Sequence, residues 1–183
     1  MRALNFLVLF FAATVALGAP QVGKNLPPYT MLVIAGDERG KLHCYVCEHG
    51  GKEGVILFAR QPGKTQGEIA SWMERQPKSR PQFHGWVTFL EKDPGSDKPI
   101  FTWAEENKLR QTPVGRFEEE SGPPAYLIGE KDTLLALYFR QGKVAATFRA
   151  GNPEEEKQII AGLEKELKKH GPLPPATGEK AGK

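Results

Sequence analysis

The sequence predicts an α/β domain with a mixed sheet, and three observations carry the prediction. The run Gly54-Val55-Ile56-Leu57-Phe58-Ala59 is continuously apolar and rich in branched residues, the pattern of a strand buried on both faces. Residues 133–139 and 144–148 are two further strand-like runs, joined at Arg140-Gln141-Gly142-Lys143, whose length and glycine mark a β-hairpin. A helix follows with unusually complete end signals: Asn152 to cap, Pro153 in the first position and Glu154 to Glu156 at its positive end. The implied order is β-α-β-α-(β)-β-β-α. Strand–helix alternation favours parallel pairing first, and the hairpin makes the last pair antiparallel.

The chain opens with Arg2, then an almost unbroken apolar stretch over 4–17, interrupted only by Asn5 and Thr14. It ends in the small residues Ala16-Leu17-Gly18-Ala19. This is the layout of a secretory signal peptide over 1–18, with the cut after Gly18. The apolar stretch is shorter than the roughly 20 residues a spanning helix needs. No cysteine directly follows it to carry a lipid. The expectation is a secreted or periplasmic protein, with no membrane attachment after cleavage.

Between the leader and the first buried strand, 19–53 reads as an extension, rich in Gly and Pro at its start, with one edge-strand candidate at Met31-Leu32-Val33-Ile34. After that strand, Thr65 and Glu68 form the pattern of a capping box, Ile69, Trp72 and Met73 give one apolar face, and Pro77 ends the helix. Strands are expected at 86–90 and 113–117. Between them, a helix over 99–109 turns Ile100, Phe101 and Ala104 inward. The last helix presents Ile159, Ile160, Leu163 and Leu167 as its buried stripe and stops at Gly171-Pro172. The tail over 171–183 has no apolar periodicity and reads as disordered.

The full chain of 183 residues suits one domain once the leader is set aside. Its net charge is only +3, and no basic stripe is interleaved with aromatics, which argues against a nucleic-acid partner. Gly63-Lys64-Thr65 resembles the end of a phosphate-binding loop, but Phe58 stands where that loop needs a glycine. No cofactor motif is read. A haem attachment site would need histidine directly after the second cysteine, and Glu48 is there.

Cys44 and Cys47 are the only cysteines and form a Cys-x-x-Cys. Three chemistries stay open for them. The pair can be an exchangeable disulfide, if local charge makes one thiol acidic. It can be a structural disulfide, favoured by an oxidising compartment. With His43 and His49 it can also make a His-Cys-Cys-His set for zinc or copper, although His43 adjoins Cys44 and would ligate awkwardly. His84 reads as a surface residue.

The hairpin sequence Thr133-Leu134-Leu135-Ala136-Leu137-Tyr138-Phe139-Arg140-Gln141-Gly142-Lys143-Val144-Ala145-Ala146-Thr147-Phe148-Arg149-Ala150-Gly151 resembles that of the thioredoxin superfamily, and the Cys-x-x-Cys is also found there. The segment 113–132 is similar to the chain that peroxiredoxin-like members insert before this hairpin. The resemblance covers 54–170. It implies a three-layer sandwich whose mixed central sheet ends in a β-hairpin and C-terminal helix. It also implies thiol–disulfide exchange with a protein partner, Cys44 attacking and Cys47 resolving. Two positions depart from the family pattern. The family pair follows the first central strand, where this chain has Arg60-Gln61-Pro62-Gly63-Lys64-Thr65. The family cis-proline precedes the hairpin, where this chain has Asp132. Because 48–53 is a short loop feeding the strand at 54–59, the pair is expected away from the carboxyl end of the sheet. There it would lack both the proline and a helix N-terminus.

Overall fold

The computed structural model describes residues 20–174, so the leader expected over 1–18 and most of the tail expected over 171–183 lie outside them. A seven-stranded sheet has the order β2-β1-β5-β4-β3-β6-β7. In chain order its strands are β1 Met31–Ala35, β2 Leu42–His43, β3 Glu53–Ala59, β4 Phe83–Leu90, β5 Val114–Phe117, β6 Leu134–Arg140 and β7 Lys143–Ala150. The pairs β3–β4 and β4–β5 are parallel, and all others are antiparallel. The expected neighbours are in place: Gly54 faces Phe139 and Ala59 faces Leu134 across β3–β6. Met31–Ala35 is not the edge, because the two-residue β2 covers it.

Helices α2 Lys64–Arg75 and α3 Asp97–Glu106 are the crossovers β3-α2-β4 and β4-α3-β5. Both steps move the same way across the sheet, so right-handed connections put both helices on one face. There Ile69, Trp72 and Met73 meet Ile100, Trp103 and Ala104 in one buried cluster. The last helical segment joins the same layer, with Ile159, Leu163 and Leu167 all buried. The opposite face is covered by a thinner layer of short pieces. These are α1 Tyr45–His49, the chain before β1, and a single 3-10 turn at Pro124–Tyr126.

Several local expectations are corrected. The cap of α2 is Gly63, not Thr65, and it offers no side-chain hydrogen bond. The first turn fits tightly against the protein: Gly63 O accepts from Gly67 N–H and from the Trp103 indole, and a Cβ on Gly63 would run into Gln66 Oε1. Phe101 is only half-buried and carries the Arg39 guanidinium 3.9 Å over its ring, while Trp103 takes the inward place. The final helix is two helices, α4 Pro153–Glu156 and α5 Ile159–Lys169. Asn152 caps α4 as the sequence indicates, bonding Glu154 and Glu155 N–H. Glu156 turns inward, accepting from Thr133 Oγ1 at 2.7 Å and from Gln66 at 3.3 Å. The tail begins docked, not free: Leu173 is buried.

The amino end of β3 is anchored by charge. The Glu53 carboxylate is fully buried and accepts from Arg80 at 3.1 and 3.2 Å, from Arg140 at 3.0 Å and from Tyr138 at 3.3 Å. Both arginines also donate to carbonyls at the end of α5, including His170. Those carbonyls lack helical partners, so the two guanidinium groups satisfy them and fasten α5 to the sheet.

Candidate redox site

The chain leaves β2 at His43 and enters α1 through Cys44, which is the N-cap residue. The Cys47 N–H donates to Cys44 Sγ at 3.2 Å, and the two sulfurs form a disulfide with Cα atoms 5.3 Å apart. Thiolate character is favoured where an N–H points at sulfur. The expectation that the pair would lack a helix N-terminus is therefore corrected, because the cysteines create their own.

A helix of five residues has little stability alone. Burial of Tyr45 and Val46 compensates: the Tyr45 ring lies 5.7 Å from that of Trp86 on β4. Burial also raises the Tyr45 hydroxyl pKa to about 12, so it stays protonated at neutral pH. Beyond α1, Gly50 donates to Val46 O, and its own carbonyl accepts from Gly142 N–H at 2.7 Å. Lys52 O accepts from Gln141 N–H at 2.7 Å. The β6–β7 turn therefore holds this segment at the amino end of β3, as the short loop predicts.

Histidines surround the helix. His43 Nε2 donates to Glu48 Oε2 at 2.8 Å, and the other Glu48 oxygen is 3.5 Å from His49 Nε2. His84, expected at the surface, is half-buried. Its ring stacks on that of His49 with centroids 4.0 Å apart and planes 10° apart, and its Nε2 accepts from Lys52 Nζ at 3.3 Å. Burial, then the neighbouring His49 and Lys52, push the His84 pKa down to about 4. His49 is likewise lowered, chiefly by burial and against the pull of Glu48. The pair of rings is thus neutral at pH 7.

The set His43, Cys44, Cys47 and His49 does not converge. Both sulfurs are bonded to each other, His43 is held on Glu48, and His49 lies flat on His84. Among the described residues no three or more His, Cys, Asp or Glu side chains form a metal cage.

The carboxyl end of β3, where the family carries its pair, is closed differently. Arg60 donates Nε to Asp132 O at 2.8 Å, Nη1 to Glu120 O at 3.0 Å and Nη2 to Gly129 O at 2.8 Å. Asp132, in the place of the family proline, accepts from Gly129 N–H and pairs with Arg149. The backbone before β6 is trans, as it is throughout the described residues. One guanidinium laces together the loop that would border a redox site, and no thiol is there.

Sequence reasoning found the cysteines and the short loop that leads from them into β3. It missed His84, which lies far from His49 in the chain and gives no local signal of the stacking.

No protein-family model matches the sequence, and no curated protein matches it. Solved structures do. A thiol-disulfide oxidoreductase from Bacteroides fragilis superposes with a TM-score of 0.55 at 17% identity, over 79% of this chain and 99% of that one. A peroxidoxin, BcpB, from Mycobacterium tuberculosis gives 0.60 at 10% identity, over 83% and 99%. A protein assigned as the thiol:disulfide interchange protein DsbE from Chlorobium tepidum gives 0.58 at 13%, over 81% and 99%. The fold is thioredoxin-like.

Proposed function

We propose that this chain is an exported thioredoxin-like protein that exchanges disulfides with a thiol-bearing protein partner through Cys44 and Cys47. The observation that carries the reading is the Cys47 N–H on Cys44 Sγ within a Cys-x-x-Cys whose second cysteine is exposed. Once the disulfide opens, an N–H so placed favours Cys44 as a thiolate, the reactive form of cysteine. The thioredoxin-like neighbours among thiol–disulfide enzymes agree with it. Export rests on the leader-like sequence over 1–18, and no helix of the described residues is long and apolar enough to cross a membrane. Because the pair precedes β3 instead of following it as in the family pattern, the reading favours one dedicated partner over general reductase activity.

A second reading is supported by one observation: α1 has five residues, and a disulfide across its first turn would staple it. Titration of the pair in glutathione buffers separates the two. Exchange predicts a potential above about −300 mV, and a structural staple predicts one below it. Insulin reduction by the mature protein beside its Cys44→Ser variant tests partner breadth. Weak turnover is expected, and robust turnover lost in the variant would overturn the dedicated-partner reading. The mass of the exported form tests the leader: it should begin near Ala19, and an intact Met1 in a membrane fraction would refute export.

A further inference from the structure

Exchange at a disulfide is decided by which sulfur an incoming thiolate reaches and which sulfur leaves more readily. The two sulfurs here are not equivalent. Cys47 is exposed, whereas Cys44 is half-buried and packs against the cluster that holds Tyr45, Val46 and Trp86. Cys44 Sγ faces the Cys47 N–H at 3.2 Å, which stabilises negative charge on that sulfur. Access therefore points to Cys47, and leaving ability points to Cys44.

We infer that a partner's thiolate attacks Cys47 and expels Cys44, so that the mixed disulfide is carried on Cys47. This reverses the order that the family resemblance implies, and it rests on the exchange reading above. In the first step a bond forms between the partner sulfur and Cys47 Sγ. The Cys44–Cys47 bond breaks, and its electron pair leaves on Cys44 Sγ, where the Cys47 N–H receives it. In the second step a further thiolate of the partner attacks the partner sulfur of the mixed disulfide, and Cys47 leaves as a thiolate. Two partner thiols are oxidised to a disulfide while the pair is reduced to a dithiol. The protons that the partner thiols release balance those the two cysteines take up.

The same asymmetry runs in reverse. In the reduced protein, Cys47 is the sulfur placed to attack a partner disulfide, and Cys44 closes the ring to release it. The substrate class this suits is a cysteine on a protein surface, which is broad enough to be excluded from the half-buried Cys44.

The test uses the oxidised mature protein and glutathione as the thiol. The reaction is stopped with N-ethylmaleimide, and the singly modified chain is mapped by peptide mass spectrometry. Glutathione on Cys47 with maleimide on Cys44 is expected, in about tenfold excess over the converse. A ratio within about threefold of unity, or an excess on Cys44, overturns the inference and leaves exchange standing. If the adduct closes too fast to trap, single-cysteine variants decide. With oxidised glutathione at a pH of about 9.5, where both lone thiols are largely ionised and access sets the order, the lone Cys47 of Cys44→Ser should react faster than the lone Cys44 of Cys47→Ser, and the opposite order overturns the inference. A pair that neither glutathione nor dithiothreitol opens overturns the exchange reading, and this inference with it.

Discussion

Two corners of one sheet divide what the fold usually combines. At the carboxyl end of β3, Arg60 spends its guanidinium on three loop carbonyls, and Asp132 is held by Arg149. Both guanidinium groups there are satisfied by the protein itself. At the other corner, the segment before β3 carries a disulfide, an exposed cysteine and two of the chain's four histidines, and a third, His84 on β4, stacks on one of them. There, polar groups face one another across a thin layer. The contrast teaches that the thioredoxin-like frame and the position of a cysteine pair on it are separable. The sheet fixes where a loop can be laced shut, and a five-residue helix is enough to present a Cys-x-x-Cys elsewhere.

The comparison can be broken most forcefully at the amino end. Glu53→Ala leaves Arg80 and Arg140 facing an empty buried site. It should destabilise the fold by about 3–5 kcal/mol, because one partner of a buried ion cluster is removed. Urea unfolding checks this, and a loss below about 1 kcal/mol would show that the cluster does not hold β3 and α5 together.

Leu163→Ala tests the layer shared by both corners. Leu163 is fully buried on α5, so the cost should be about 2–5 kcal/mol, and a loss below about 0.5 kcal/mol would mean that the stripe is not packed. Arg60→Ala should cost less, about 1–3 kcal/mol, since water reaches part of the loop. Its sharper readout is negative. The rate of exchange with glutathione should stay unchanged, and a fall in that rate would mean that the two corners are not separate.

The smallest effect is pH dependence at the cysteine corner. His84 titrates near 4 in the folded chain and its ordinary value is 6.5, so the unfolded chain binds more protons between these values. Stability rises with pH where the unfolded state holds more protons. The contribution of neutral His84, with lowered His49 acting in the same direction, is complete above pH about 6.5 and is lost as the pH falls toward about 4. Thermal melts across that window should show a shallower slope in His84→Gln. An equal slope in both proteins would place the titration elsewhere.

Much of the frame was legible because its signals are local. The run 54–59, the glycine turn at Gln141–Gly142 and the Asn152-Pro153 cap each bias a few neighbouring residues, and each is found in place. The start of α2 was misread because Thr65 offers a good local cap, while Gln66 and Trp103, from two different helices, close around Gly63 instead. The break between α4 and α5 follows from Glu156 reaching Thr133 and Gln66, partners that no periodicity reveals.

The sequence by itself determined the cysteine spacing, the strand–helix order and the position of the pair ahead of β3, because these depend on residues adjacent in the chain. Only the tertiary structure decided that His84 stacks on His49, that Arg60 closes the family's usual site, and that Cys44 is half-buried while Cys47 is exposed. Each of these is a contact between segments far apart in sequence. Their energies come from packing and desolvation that exist only once the sheet has brought the segments together.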